Sequence, residues 1–199
     1  FKLFLQGKHA HVPKISGNTY DEFKSFIFAD NDEAFEKQAR DIFGDRADKF
    51  LSFPEVYNHN GNMYASADGI ECAVKCAFEQ NSKDCYYYLF NTDIPGWDNP
   101  GTFHSVDLWF FFETLAACWR PFTGRHYDLA RQMCNYWANF VKTGNPNGND
   151  SDGTPMQEWL PYEKDNCFEM EFTSDGPVTQ REAHHDFKSF LRGIMKTFY

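Results

Sequence analysis

Gly101-Thr-Phe-His-Ser-Val-Asp-Leu-Trp-Phe-Phe-Phe112 is the stretch on which the fold of this chain turns. An aromatic run, Cys85-Tyr-Tyr-Tyr-Leu-Phe-Asn91, leads towards it through a turn-rich segment from Thr92 to Pro100. The order is a buried strand, a Gly/Pro loop, one histidine and a helix start. An α/β sheet delivers side chains in this way to the C-terminal edge of its strands, where such folds carry their chemistry. Ser105 is expected to cap the following helix, with Asp107 in its first turn. His104 then stands just outside a helix end. The bland alternative is a loop histidine hydrogen-bonded to the backbone.

Upstream, residues 11–17 read as a short strand whose start Pro13 weakens. Asn18 to Phe23 follows as a loop turning into a helix. Residues 31–44 form an amphipathic helix: Ala34, Phe35, Ala39, Ile42 and Phe43 recur at helical spacing, Asn31 or Asp32 caps the start, and Gly44 ends it. A second helix fits from about Met63 to Gln80, with Ala73, Cys76 and Ala77 inward. Strand, helices, strand is a crossover unit, so the two strands should be parallel. A parallel strand is buried on both faces, which suits the unbroken run from Tyr86 to Phe90.

Downstream, residues 105–118 are expected to be helical, with a break near Pro121. The next helix, about Tyr127 to Thr143, carries Leu129, Met133, Trp137, Phe140 and Val141 as a core stripe, and Gly144 with Pro146 stops it. Residues 144–155 are a polar loop. A calcium-loop register built on Gly153 fails, because it puts Gly148 at the first ligand position and Trp159 where a bidentate Glu belongs. Residues 167–172 alternate and predict a late strand with one wet face. A last helix, about Arg181 to Phe198, buries Phe187, Phe190, Leu191, Ile194 and Phe198, with His184 and His185 solvated at its start. There is no internal repeat and no second domain in the pattern.

A length of 199 residues is enough for one domain with a core. The net charge of −10 opposes nucleic acid, whose binding needs clustered Lys and Arg, and opposes an anionic membrane surface equally. No apolar run approaches the roughly 20 residues that span a bilayer. Phe1 to Gln6 has no initiating Met and is too short for a signal peptide, so it reads as an internal start and the chain as a fragment. The six cysteines lack a framework spacing. Cys72 and Cys76 share a helix face, but there is no Cys-x-x-Cys or nearby His pair, so buried thiols are expected rather than a metal site, and no cofactor. This usage leans to a reducing, cytoplasmic compartment over a secreted one. The sequon Asn149-Asp-Ser151 matters only in the second case.

The chemistry lies at two strand ends. The first supplies Asp21 and Glu22, the last His104. An acid after one parallel strand and a histidine after a later one is the back half of a Ser…acid…His triad in α/β-hydrolase order. The carboxylate holds the imidazole in one tautomer and stabilises it once protonated; the imidazole takes the serine proton and returns it to the leaving group. Asp21 and Glu22 could also be plain first-turn acids of a helix.

Ile15-Ser-Gly-Asn-Thr-Tyr-Asp-Glu-Phe23, Tyr88-Leu-Phe-Asn91, Gly101 to Leu108, and Met133 to Asn147 followed by Trp159-Leu-Pro161 resemble the type-B carboxylesterase/lipase family, the cholinesterase-like esterases. The motifs come in that family's order, cover most of residues 10–163, and end in a specific Trp-x-x-Phe…Gly-Asn-Pro-Asn…Trp-x-Pro signature. The resemblance implies an α/β-hydrolase fold and ester hydrolysis through a serine. It puts Glu22 on the triad acid, His104 on the triad histidine, and Asp107 on an acidic position with an expected capping role. Phe103 and Trp109 are the aromatic residues expected to line an acyl or alcohol pocket that takes apolar or aryl esters.

The departures from that pattern define the rest of the expectation. There is no Gly-x-Ser-x-Gly elbow, the oxyanion-hole glycines are absent, and the one serine before Glu22 is Ser16, inside a strand. Residues 1–199 are therefore expected to be the C-terminal portion of a single catalytic domain. A separate N-terminal polypeptide would supply the serine, the oxyanion hole and most of the sheet. Alone, the chain should be inactive and should present an open sheet edge. The rival reading is a non-catalytic cholinesterase-like binding or adhesion protein, which the retained acid and histidine disfavour. A free-standing small esterase fails for want of a nucleophile.

Overall fold

The computed structural model describes residues 1–22, 27, 29–57 and 69–197. Four strands form one sheet in the order β1-β2-β3-β4, with β1 at Lys14–Thr19, β2 at Cys85–Asn91, β3 at Phe168–Thr173 and β4 at Gly176–Arg181. β1 and β2 run parallel, with Gly17 opposite Tyr88, as the crossover argument requires, and β2 and β3 are parallel as well. β4 turns back antiparallel on β3. Among the described residues, β1 and β4 are the edges. The helices are α1 Lys2–Leu5, α2 Asp32–Phe43, α3 Ala47–Leu51, α4 Gly69–Phe78, α5 Leu108–Phe111, α6 Gly124–Thr143 and α7 His185–Met195.

The strand alternation decides which helices cover which face. Tyr86, Tyr88 and Phe90 of β2, with Met170 and Phe172 of β3, pack on one side against Phe110, Leu129, Met133 and Tyr136 of α5 and α6 and against Trp159. Cys85 and Tyr87 point to the other side, towards Phe78 of α4. A separate apolar cluster joins Phe35, Ala39 and Phe43 of α2, Phe50 of α3 and Phe187, Leu191 and Ile194 of α7. The result is a sheet between two helical layers, the arrangement that buries a mostly parallel sheet.

The family-like signature has a direct structural use. Asn147 accepts from the Trp159 backbone N–H at 2.7 Å and donates to its carbonyl at 2.9 Å. That pairing seats the Trp159 ring in the core, where its Nε1–H donates to the Tyr87 carbonyl at 3.1 Å. The neighbouring loop is held from inside, because buried Asp150 accepts from Arg131 and Asn135 of α6.

Several sequence expectations are corrected. Arg181 belongs to β4, so the last helix starts at His185; its expected end at Phe198 lies outside the described residues. The Gly-Pro-Val-Thr-Gln-Arg181 strand carries too few apolar residues to announce itself. Residues 63–68 of the expected second helix also lie outside the described residues. From Gly69 onward its buried face is Glu71, Cys72, Lys75 and Cys76, with Ala73 and Ala77 only half-buried. In α6, Val141 is 81% exposed and Tyr136 takes the core position instead. β3 has no wet face at Glu169, which is fully buried.

That inversion has a cause: an ion cluster lies between the sheet and the helices α4 and α7. Lys75, fully buried, donates to Glu71, to Glu169 at 2.9 Å and to Glu182 at 2.8 Å, and lies 4.4 Å over the Tyr87 ring. Arg192 of α7 donates twice to Glu182, at 2.9 and 2.8 Å, and Lys188 pairs with Glu71 at 2.8 Å. His184 and His185 stay exposed as expected, yet their rings pair with Glu55 and Glu182 at 2.9 and 2.8 Å. All six cysteines are free thiols. Cys167, Glu182 and His185 bring three potential metal-ligating atoms within 4.8 Å of one another. Arg192 already sits on both Cys167 and Glu182, which makes this a poor cation site. No helix is long and apolar enough to cross a membrane among the described residues.

Candidate active site

The site forms where β1 and β2 release the chain at the same edge. β1 ends at Thr19, the Tyr20 N–H donates to the Phe90 carbonyl at 2.8 Å, and Asp21 and Glu22 follow at once. β2 ends at Asn91; its continuation loops out and returns so that Phe103 bridges in parallel to Asp21. His104 is the next residue, and its Nδ1 lies 2.7 Å from Glu22 Oε1. The Glu22 carboxylate is buried at the bottom of this contact, whereas the His104 side chain is 54% exposed. The second oxygen, Glu22 Oε2, accepts from the Thr19 hydroxyl at 3.3 Å. Two polar groups thus share the ends of one buried carboxylate, which fixes its plane.

Asp21 does different work. Its carboxylate accepts from the Thr102 N–H at 2.8 Å and from the Thr102 hydroxyl at 3.1 Å. Gly101 makes room for it: φ is +62°, and a Cβ there would lie 2.4 Å from Asp21 Oδ2.

The segment after His104 departs from expectation. Ser105 adopts φ +68° and does not cap the helix, which is only Leu108–Phe111 with Asp107 at its N-cap position. Residues 112–118 supply a short 3₁₀ turn at Leu115–Ala117 in place of a continued helix. The Asp107 side chain makes no capping bond; it points inward and accepts from the Tyr88 hydroxyl at 2.9 Å. Burial raises the Asp107 carboxyl above the usual range, and burial beside that carboxylate raises the Tyr88 phenol.

Phe103 and Trp109 are both half-buried and meet edge-on at 5.9 Å. Arg120 lies 5.7 Å over the Phe103 ring, and Trp109 packs against Phe122 at 6.1 Å. Sequence reasoning missed Thr19 and Thr102. Neither has periodicity or a motif of its own; only the adjoining Gly101 hinted at a tight approach.

In overall shape the chain is similar to a thermophilic PNB esterase, with a TM-score of 0.66 at 18% identity over 96% of this chain and 40% of the other. The layered, mostly parallel sheet is that of an α/β-hydrolase. The chain belongs to the carboxylesterase family, whose pattern matches residues 8–190, in agreement with the resemblance carried by its motifs. It is 30% identical to acetylcholinesterase 1 of Caenorhabditis elegans over 116 residues, which is 54% of this chain and 18% of that protein. With carboxylesterase 4A of Bos taurus the identity is 32% over 112 residues, 51% of this chain and 18% of the relative. The chain thus spans well under half the length of the proteins it matches.

Proposed function

We propose that this chain contributes the acid and the histidine of a Ser-His-Glu triad that hydrolyses carboxylic esters. The observation that carries the proposal is the 2.7 Å contact between His104 Nδ1 and buried Glu22 Oε1. With Nδ1–H donated to the carboxylate, Nε2 is the basic nitrogen. It accepts the proton as a serine Oγ attacks the ester carbonyl, and returns it to the departing alkoxide as the acyl-enzyme forms. A water, deprotonated by the same nitrogen, then releases the acid and regenerates the serine. Glu22 stabilises the imidazolium in both halves without taking its proton.

In this reading residues 1–199 are the C-terminal portion of one α/β-hydrolase catalytic domain. The serine and the oxyanion donors come from a separate, N-terminal polypeptide of the same esterase. Two facts support a serine that lies outside residues 1–199: no Gly-x-Ser-x-Gly occurs among them, and their fold matches only 40% of a solved esterase. The substrate is a small-molecule ester, and Phe103 and Trp109 line its pocket.

The test is turnover of nitrophenyl acetate by the complex of the two polypeptides. His104→Ala should reduce it on the order of 10⁴-fold. A variant that keeps most of the activity removes the assignment. Fluorophosphonate labelling of the companion identifies the serine; a companion with that serine replaced would make the assembly a binding protein.

A further inference from the structure

We propose that Asp21 and Thr102 are positioning residues, a clasp that sets the distance between the acid and the histidine; this rests on the reading of Glu22 and His104 as that pair. The two residues exchange bonds in both directions. The Asp21 N–H donates to the Thr102 carbonyl at 3.2 Å and to its hydroxyl oxygen at 3.1 Å. The Thr102 N–H and hydroxyl donate to Asp21 Oδ2 at 2.8 and 3.1 Å. Thr102 is buried, and its hydroxyl is both acceptor and donor within the one contact.

Position makes the clasp matter. Asp21 is the residue before Glu22, and Thr102 lies two before His104. The bonds therefore tie the backbones that carry both side chains, at a point where the regular β1–β2 ladder has already ended at Thr19 and Phe90. The single bridge between Asp21 and Phe103 resumes that ladder beyond the loop. His104 is more than half exposed, so surrounding atoms enclose it only partly. Ser105 just after it adopts φ +68°, a conformation that does not extend a strand or helix through the histidine. Gly101 completes the device, since a side chain there would occupy the place of the Asp21 carboxylate. Asp21 acts here as an acceptor of hydrogen bonds and not as the orienting charge, because Glu22 reaches the imidazole and Asp21 reaches Thr102.

The clasp is tested in the complete esterase by steady-state kinetics on nitrophenyl acetate with parallel thermal melts. Asp21→Ala and Thr102→Val should lower kcat about 10- to 100-fold, the scale of loss from a misplaced catalytic group. KM should move by less than about 3-fold, since the group lost acts on the transition state. Asp21→Asn, whose amide oxygen can accept the same two bonds, and Thr102→Ser, which keeps the hydroxyl, should restore most of the rate. Unchanged kcat in Asp21→Ala and Thr102→Val overturns the proposal. So does an Asp21→Asn variant as slow as Asp21→Ala, or a loss that follows the melting temperature and is not rescued. His104→Ala is the control: if that variant stays active, the triad reading itself fails, and the clasp with it.

Discussion

Glu22 and His104 are 82 positions apart in the chain, and their side chains meet at 2.7 Å. The contact is asymmetric, with the carboxylate buried and the imidazole reaching outward. An anion held dry beside a ring nitrogen favours the tautomer with a proton on that nitrogen, which leaves the outer nitrogen basic. The acid is anchored in turn by the Thr19 hydroxyl.

Glu22→Gln keeps the shape of the contact and removes the charge. The imidazolium then loses its counter-ion, and the amide can present its NH₂ to Nδ1 and favour the wrong tautomer. Ester turnover by the complete enzyme should fall on the order of 10³-fold, less than for His104→Ala. An unchanged rate would transfer the orienting role to Asp21.

Lys75 is enclosed by Glu71, Glu169 and Glu182 with no access to water. Replacing it with Met keeps much of the volume but leaves buried carboxylates short of a counter-ion. Lys75→Met should therefore destabilise the fold by about 3–5 kcal/mol, read as a lower urea midpoint. A midpoint equal to that of the parent would mean that Lys188 and Arg192 suffice for the cluster.

The same cluster sets the acid limit of stability. Burial pushes Glu182 upward, but the hydrogen bonds from Arg192 and the charge of Lys75 outweigh it and hold the carboxyl at about 2, against an ordinary 4.5. A depressed carboxylate stabilises the fold above its unfolded pKa, and that contribution is lost as pH falls through the folded value. Stability should accordingly drop between pH 4.5 and pH 2, and Glu182→Gln should flatten this decline. Burial shifts Glu169 the other way, so its protonation adds stability only above pH 4.5 and leaves the fall below that pH unopposed. Denaturant midpoints measured across that range decide the matter; equal slopes in parent and variant would contradict it.

Gly17 lies in β1 against β2, and a Cβ there would stand 2.1 Å from the Tyr88 carbonyl oxygen and 2.4 Å from its ring. Backbone is on the other side of the clash, so a rotamer change cannot relieve it. Gly17→Ala should cost at least about 1–3 kcal/mol and loosen the β1–β2 pairing. Amide exchange in Tyr86 to Phe90 should speed up; unchanged protection would show that the strands separate without cost.

Legibility in the sequence followed the range of the interaction. β2 is found within the bounds Cys85–Asn91 because its apolar run is continuous. α6 is found because its period is strong, although it starts earlier than expected, at Gly124, where the Thr123 N–H donates to His126 at 2.9 Å. β4 escapes because Gly-Pro-Val-Thr-Gln-Arg181 has no alternation to read. Glu169 is misread as wet, and Glu71, Lys75 and Glu182 pass unnoticed, because each is hydrophilic alone. They are buried as a set, and hydropathy is a property of one residue at a time.

By itself the sequence determined the alternation of strands and helices, the parallel crossover and the two loops that hold an acid and a histidine, since these follow from local periodicity and short motifs. The tertiary structure alone decided that Glu22 and not Asp21 reaches the imidazole, that Asp21 is bound to Thr102, and that charged residues fill the layer under α4 and α7. Each of those is a pairing between distant positions. Its energy exists only once both partners have left water together, so neither residue announces it alone.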